Sequence, residues 1–177
     1  MKIKKLPVAS QAFDYPLLIK SILAYSTKLE PNREVVYRDL VRYNYITLNQ
    51  RVAQLANVLT SAGMDGAATV AVLDYDSHRY LECFFGIPMT GNILHTINWR
   101  LSAAQILYTI NHAEDALIIC HLDFLPLLES LASELTTVKG IIVCTDGQVL
   151  PVANITTAGF TSVKVLATSP VSWTFGT

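Results

Sequence analysis

The chain has 177 residues, one domain's worth at roughly 100 to 200 residues per domain. Hydrophobic residues make up 51% and charged residues 15%, against about 25% charged in ordinary soluble domains, a balance that excludes a disordered chain. A net charge of −1 excludes a broad basic field for nucleic acid, and three cysteines far apart (Cys83, Cys120, Cys144) exclude a disulfide framework or a zinc site.

Lys2, Lys4 and Lys5 resemble the start of an export signal, but the apolar run after them stops at Ala9 and Ser10. The longest stretch without Asp, Glu, Lys or Arg, Cys83 to Trp99, holds Gly86, Pro88, Gly91, Asn92 and Asn98. It reads as a buried helix followed by a buried strand rather than a transmembrane segment. A reducing cytoplasm is the expected compartment.

A first helix is predicted after Asp14, with Leu18, Ile19, Ile22 and Leu23 as its apolar stripe and Pro31 at its end. The runs Glu34 to Arg38 and Arg42 to Ile46 suggest a hairpin, with Tyr37, Tyr43 and Tyr45 suited to cross-strand packing. Thr47 to Gln50 has the spacing of a capping box, and the helix it opens carries Leu48, Val52, Leu55, Ala56 and Leu59 before stopping at Gly63.

From there strands and helices alternate. Thr69 to Leu73 is a strand, and Ser77 starts a helix expected to bury Leu81, Phe84 and Phe85 and to break at Pro88 and Gly91. Asn92 to Ile97 is the next strand. Ser102 to Gln105 is a second capping box, flanked by Leu101 and Ile106 as a staple, for a helix to about Ala113. Ala116 to Cys120 is a strand, Asp123 caps a helix bearing Leu127, Leu128, Leu131 and Leu135, and Gly140 to Cys144 is a strand again. Four strands with three intervening helices predict an α/β fold, a mostly parallel sheet with helices on both faces, preceded by a helix and a hairpin. The expected division is an α/β subdomain over 1–145 and a low-charge tail over 146–177, where Phe160 to Leu166 has the composition of an aggregating strand.

No glycine falls in a dinucleotide or phosphate-loop pattern; the nearest imitation, Thr60 to Gly66, has no lysine. The histidines His78, His95, His112 and His121 lack metal-ligand spacing. His95 reads as a hydrogen-bonded core residue whose neutral ring could also line a pocket. Cys120 and His121 lie together at a strand end but without a third partner for nucleophilic chemistry, and Asp74, Asp76 and His78 read as a capping loop. Arg79 and Arg100 border apolar segments as solvated or ion-paired residues, or as anion binders.

Taken together, four segments resemble the N-terminal part of the adenylate-forming (AMP-binding) acyl-CoA synthetases. They are Ile46 to Leu59 (ITLNQRVAQLANVL), Val70 to Asp74 (VAVLD), Tyr80 to Ser102 (YLECFFGIPMTGNILHTINWRLS) and Ile110 to Asp115 (INHAED). The HTINWRLS wording is most similar to the medium- and long-chain fatty acyl-CoA ligases. It departs from them at Asn98-Trp99, where Asn-Pro is usual, and at Gly66-Ala67-Ala68, where Gly-Asp is common. The resemblance covers Asp14 to Cys144 and implies an ATP-, Mg- and CoA-dependent acid ligase in the intact family, with His95, Thr96, Asn98 and Arg100 lining its acyl or CoA cleft. The family's Ser/Thr/Gly-rich loop ending in Pro-Lys-Gly and its catalytic lysine have no counterpart in these 177 residues. The chain is therefore expected to be an inactive ligase fragment with no catalytic, cofactor or metal residues of its own. Its expected partner is a second copy or the remainder of the ligase. The rival reading is a ligase-derived module kept for oligomerisation or partner binding.

Overall fold

Runs that are apolar at every position become strands covered on both faces, and these assemble the centre of the molecule. A computed structural model describes residues 9–13, 15–64, 66–146, 162–165, 168–169 and 172–173. Its elements are α1 (Ile19–Leu29), β1 (Glu34–Tyr37), β2 (Val41–Asn44), α2 (Tyr45–Ser61), β3 (Thr69–Leu73), α3 (His78–Met89), β4 (Ile93–Thr96), α4 (Ala103–His112), β5 (Asp115–His121), α5 (Leu125–Leu131), β6 (Gly140–Cys144), β7 (Ser162–Val165), β8 (Thr168–Ser169) and β9 (Ser172–Trp173). The main sheet runs β4-β3-β5-β6-β7, parallel at every junction, and β1 and β2 form a separate antiparallel hairpin.

The side-chain period of two sorts each strand between two cores. Ala71, Leu73, Ile118, Cys120, Ile141 and Val143 face Ile106 and Ile110 of α4 and Leu128 and Leu131 of α5. Val70, Val72, Leu117, Ile119, Ile142 and Cys144 face Leu55 and Leu59 of α2 and Cys83 and Ile87 of α3. A third cluster, Leu23 with Leu48 and Val52, seats α1 and the hairpin on the outside of α2 and α3.

Local chemistry explains most boundaries. Ser77 caps α3 through the Tyr80 amide, Ser102 and Gln105 form the reciprocal capping box of α4, and Gly63 takes φ +79° after α2. Five expectations need correction. The cap of α2 is Asn44, which accepts from the Thr47 amide, because β2 runs directly into the helix and makes Thr47 its third residue. The cap before α5 is His121, whose Nδ1 accepts from the Asp123 amide, so Asp123 lies inside a 3-10 turn over Leu122–Phe124. α3 passes through Pro88 and ends at Met89, since only one bond near the helix end is lost, and Gly91 at φ +81° makes the turn. Phe84 is exposed, and the buried face of α3 is His78, Arg79, Glu82, Cys83, Gly86 and Ile87. On α1, Leu23 is buried while Leu18 and Ile22 are exposed.

Gly86 lets α2 and α3 approach closely, because a Cβ there would meet Leu55 Cδ2 at 2.7 Å and force that side chain to shift. In the segment after residue 145, β7 extends the main sheet and Trp173 is buried against α2 and α3, a placement the composition of that segment did not suggest. Of the stretch Phe160 to Leu166, only 162–165 falls among the described residues.

Candidate functional site

Ligands of open parallel sheets collect at the carboxyl ends of the strands, above all where successive connections leave to opposite faces. Here that point lies between β3 and β5, because α3 follows β3 onto one face and α5 follows β5 onto the other. It is filled by Tyr75. The ring sits 5.2 Å from His121, 4.9 Å from Phe124 and 5.5 Å from Trp99 between centroids, and its hydroxyl donates to Asp123 (3.1 Å).

Beside Tyr75 runs a chain of charged groups, buried at Asp74 and Arg79 and open at Asp146 and Arg38. Asp74 accepts from the Tyr75 amide (2.7 Å) and the Ser77 hydroxyl (2.6 Å), and Arg79 bridges Asp74 (3.5 Å) and Asp146 (2.8 Å). Arg38 and His121 Nε2 approach Asp146 to 3.8 and 3.9 Å. Burial opposes ionisation of Asp146, but the Arg79 hydrogen bond and charge outweigh it and hold the carboxyl below its ordinary value. Burial, reinforced by Arg79 and Arg51, pushes His78 down to about 3 and keeps it neutral at physiological pH. Arg79 is thus an ion-paired residue rather than an open anion binder. Cys120, fully buried and with its thiol pushed well up by burial, is no nucleophile.

Open space remains on the β3–β4 side. A cleft of about 210 Å³ is lined by Asp74, Asp76, Tyr80, Thr96, Ile97, Asn98, Trp99 and Arg100. It is shaped by the turn after β4, where Asn98 Oδ1 accepts from the Arg100 amide (3.0 Å) and its carbonyl accepts from Leu101 N (3.2 Å). Trp99 packs against Tyr75 and Phe124. The Arg100 guanidinium lies 4.2 Å from the Trp99 ring centre, a cation–π contact that holds it at the rim.

Of the four residues singled out from sequence, Thr96, Asn98 and Arg100 come together here. His95 does not, because it is one residue out of phase with Thr96 on β4; its Nδ1 pairs with buried Asp115 at 2.7 Å. Asp76, Tyr80 and Trp99 also line the cleft and were not singled out for it. The placement of Asp76 and Tyr80 depends on β3 and β4 being neighbours, which alternation alone does not reveal.

Adenylation needs groups that hold phosphates, and the described residues do not fit that task. Gly66 and Gly91 pack together at the opposite, amino end of β3 and β4, where Asn92 Oδ1 accepts from the amides of Gly66 and Ala68 and occupies the donors a phosphate would need. Among the described residues no three His, Cys, Asp or Glu side chains gather as a metal site. No described helix is long and apolar enough to cross a membrane.

A sequence model described as AMP-binding enzyme matches residues 23–175, taking in most of the segment after 145 that the motifs left without resemblance. The long-chain fatty acid CoA ligase of Thermus thermophilus is 35% identical over 138 residues, 76% of this chain and 26% of its own length. The 3-methylmercaptopropionyl-CoA ligase of Ruegeria pomeroyi is 33% identical over 131 residues, 72% of this chain and 24% of its own. Among solved structures, the anthranilate CoA ligase AuaEII superposes with a TM-score of 0.66 at 26% identity, covering 70% of this chain and 24% of that one. A Mycobacterium tuberculosis fatty acyl CoA synthetase gives 0.64 at 22% identity over 70% of this chain and 26% of that one, a likeness of fold. The chain spans about a quarter of the length of these relatives.

Proposed function

The chain belongs to the AMP-binding enzyme family, and from that premise we propose that residues 1–145 are the α/β subdomain of an AMP-forming acyl-CoA ligase, supplying scaffold and one wall of its cleft for the acid and CoA. The observation that carries this reading is the open cleft at the carboxyl ends of β3 and β4, lined in large part by Thr96 to Arg100 of the HTINWRLS segment, whose wording resembles that of fatty acyl-CoA ligases. Arg100 is the positive group lining it. Asp74 across the cleft is already hydrogen-bonded and paired with Arg79, so Arg100 meets a phosphate or carboxylate with Asp76 as its remaining acidic neighbour. The 177-residue chain by itself does not form an acyl-adenylate, because its sequence holds no phosphate-loop pattern and none of the described residues builds a phosphate cradle.

Titration of the chain with CoA, followed through tryptophan fluorescence, tests the cleft. Saturable binding is expected, with the signal lost in Trp99→Phe and affinity about tenfold weaker in Arg100→Ala, the loss of one charge-assisted hydrogen bond of roughly 1.5 kcal/mol. Equal affinity in Arg100→Ala would remove the cleft from the account.

A further inference from the structure

α1 has two apolar stripes, and the fold uses one. Leu23 enters the cluster with Leu48 and Val52, while Leu18, Ile22, Tyr25 and Leu29, spaced four, three and four residues apart, form a second stripe that faces outward. Ile22 and Tyr25 are 61% and 65% exposed, so the core makes no use of this stripe. The chain leading into the helix adds to the same surface: Leu17 is 94% exposed, and Phe13 stacks on Tyr15 with ring centres 6.2 Å apart. Tyr15, Leu17, Leu18, Ile22, Tyr25 and Lys28 line a groove of about 840 Å³. A contiguous apolar patch of this kind marks an interaction surface.

Charge distinguishes between occupants. Residues 1–33 contain Lys2, Lys4, Lys5, Lys20, Lys28 and Arg33 against Asp14 and Glu30, a net of four positive charges in a chain whose total is −1. Five of the seven lysines lie in this segment. A second copy seated on the same face would bring two such segments together. An anionic surface would complement them while its interior received Leu18, Ile22, Tyr25 and Leu29, the arrangement of helices that lie in the plane of a membrane interface. Lysine stems can lie along such a surface with the ammonium at the headgroups, and tyrosine rings favour that depth.

We propose that the segment containing α1 docks in-plane on an anionic lipid surface, through the stripe Leu18, Ile22, Tyr25 and Leu29 together with Lys20 and Lys28 of the same helix. The helix has 11 residues and lies on the bilayer rather than across it.

Sedimentation of the full 177-residue chain with vesicles tests this, comparing phosphatidylcholine alone with a phosphatidylcholine–phosphatidylglycerol mixture. The chain is expected to partition onto the mixed vesicles at low salt, about tenfold more weakly at high salt, and poorly onto phosphatidylcholine alone. Ile22→Glu/Tyr25→Glu, at two exposed positions, is expected to abolish partitioning while leaving the far-ultraviolet circular dichroism unchanged. No partitioning at low salt, or equal partitioning by the folded double variant, would overturn the proposal. So would a lipid-indifferent dimer that the double variant disperses, which would assign the stripe to a second copy.

Discussion

Glu82→Gln is expected to destabilise the domain by about 3–5 kcal/mol, the range for removing one member of a fully buried ion pair. Glu82 is 0% exposed and sits where four elements converge. It accepts from Arg51 Nε (2.6 Å) and Nη2 (3.2 Å) on α2, from the Tyr43 hydroxyl (2.7 Å) on β2 and from Trp173 Nε1 (2.7 Å) on β9. An amide keeps the shape but removes the charge that balances the Arg51 guanidinium and turns one acceptor into a donor facing other donors. At roughly 2–4 °C per kcal/mol for a domain of this size, the midpoint of thermal unfolding should fall by about 6–20 °C. Replacing both partners, Arg51→Met with Glu82→Leu, should recover only part of the loss, because it removes both buried charges but leaves the Tyr43 hydroxyl and Trp173 Nε1 without their acceptor. Urea unfolding of the three variants measures this, and a Glu82→Gln variant within about 1 kcal/mol of the parent would contradict it.

The second large effect is a loss of stability in acid, dominated by His78. Burial, with Arg79 and Arg51 close by, lowers its folded-state value to about 3 against 6.5 for an ordinary histidine. Between those values the unfolded chain binds a proton that the folded chain does not, so stability rises with pH through this window and falls on acidification. The limiting slope is about 1.4 kcal/mol per pH unit, several kcal/mol over the window. Asp146, held below its ordinary value, contributes stability above about pH 4 that is lost at lower pH. Asp115 works in the opposite direction, since burial raises its carboxyl despite the His95 contact. Comparing variant and parent isolates the histidine: His78→Gln should flatten the stability profile between about pH 6 and 4, leaving the steeper fall below it in place. An unchanged slope in His78→Gln would mean that the ring is protonated in the folded protein.

The framework was legible in the sequence wherever the determining interactions are local. Ser77, the Ser102–Gln105 box and Gly63 act within a few residues, and the strands around Val70, Ile118 and Ile142 are apolar on both sides because helices cover both faces. Tertiary pairings were not legible. Nothing near Arg79 announces Asp146, and nothing near Glu82 announces Arg51 or Trp173, although a carboxylate within a buried helical run is itself a sign that a distant cation must exist. In the cleft, Thr96, Asn98 and Arg100 could be read from one continuous segment. His95 is one residue out of phase with Thr96, and strand phase turns alternate residues to opposite faces of the sheet, where His95 pairs with Asp115. The outward stripe of α1 merged with the inward one in the sequence, because helical spacing cannot tell which of two adjacent apolar rows meets the core.

On the proposed reading these 177 residues supply ligase scaffold and a cleft wall but no phosphate chemistry. That reading is tested most directly by ATP–pyrophosphate exchange on the purified chain, with magnesium and a series of medium- and long-chain fatty acids. Exchange indistinguishable from a protein-free control is expected with every acid, in a sample whose circular dichroism shows folded α/β structure. Robust acid-dependent exchange by that chain would contradict the reading.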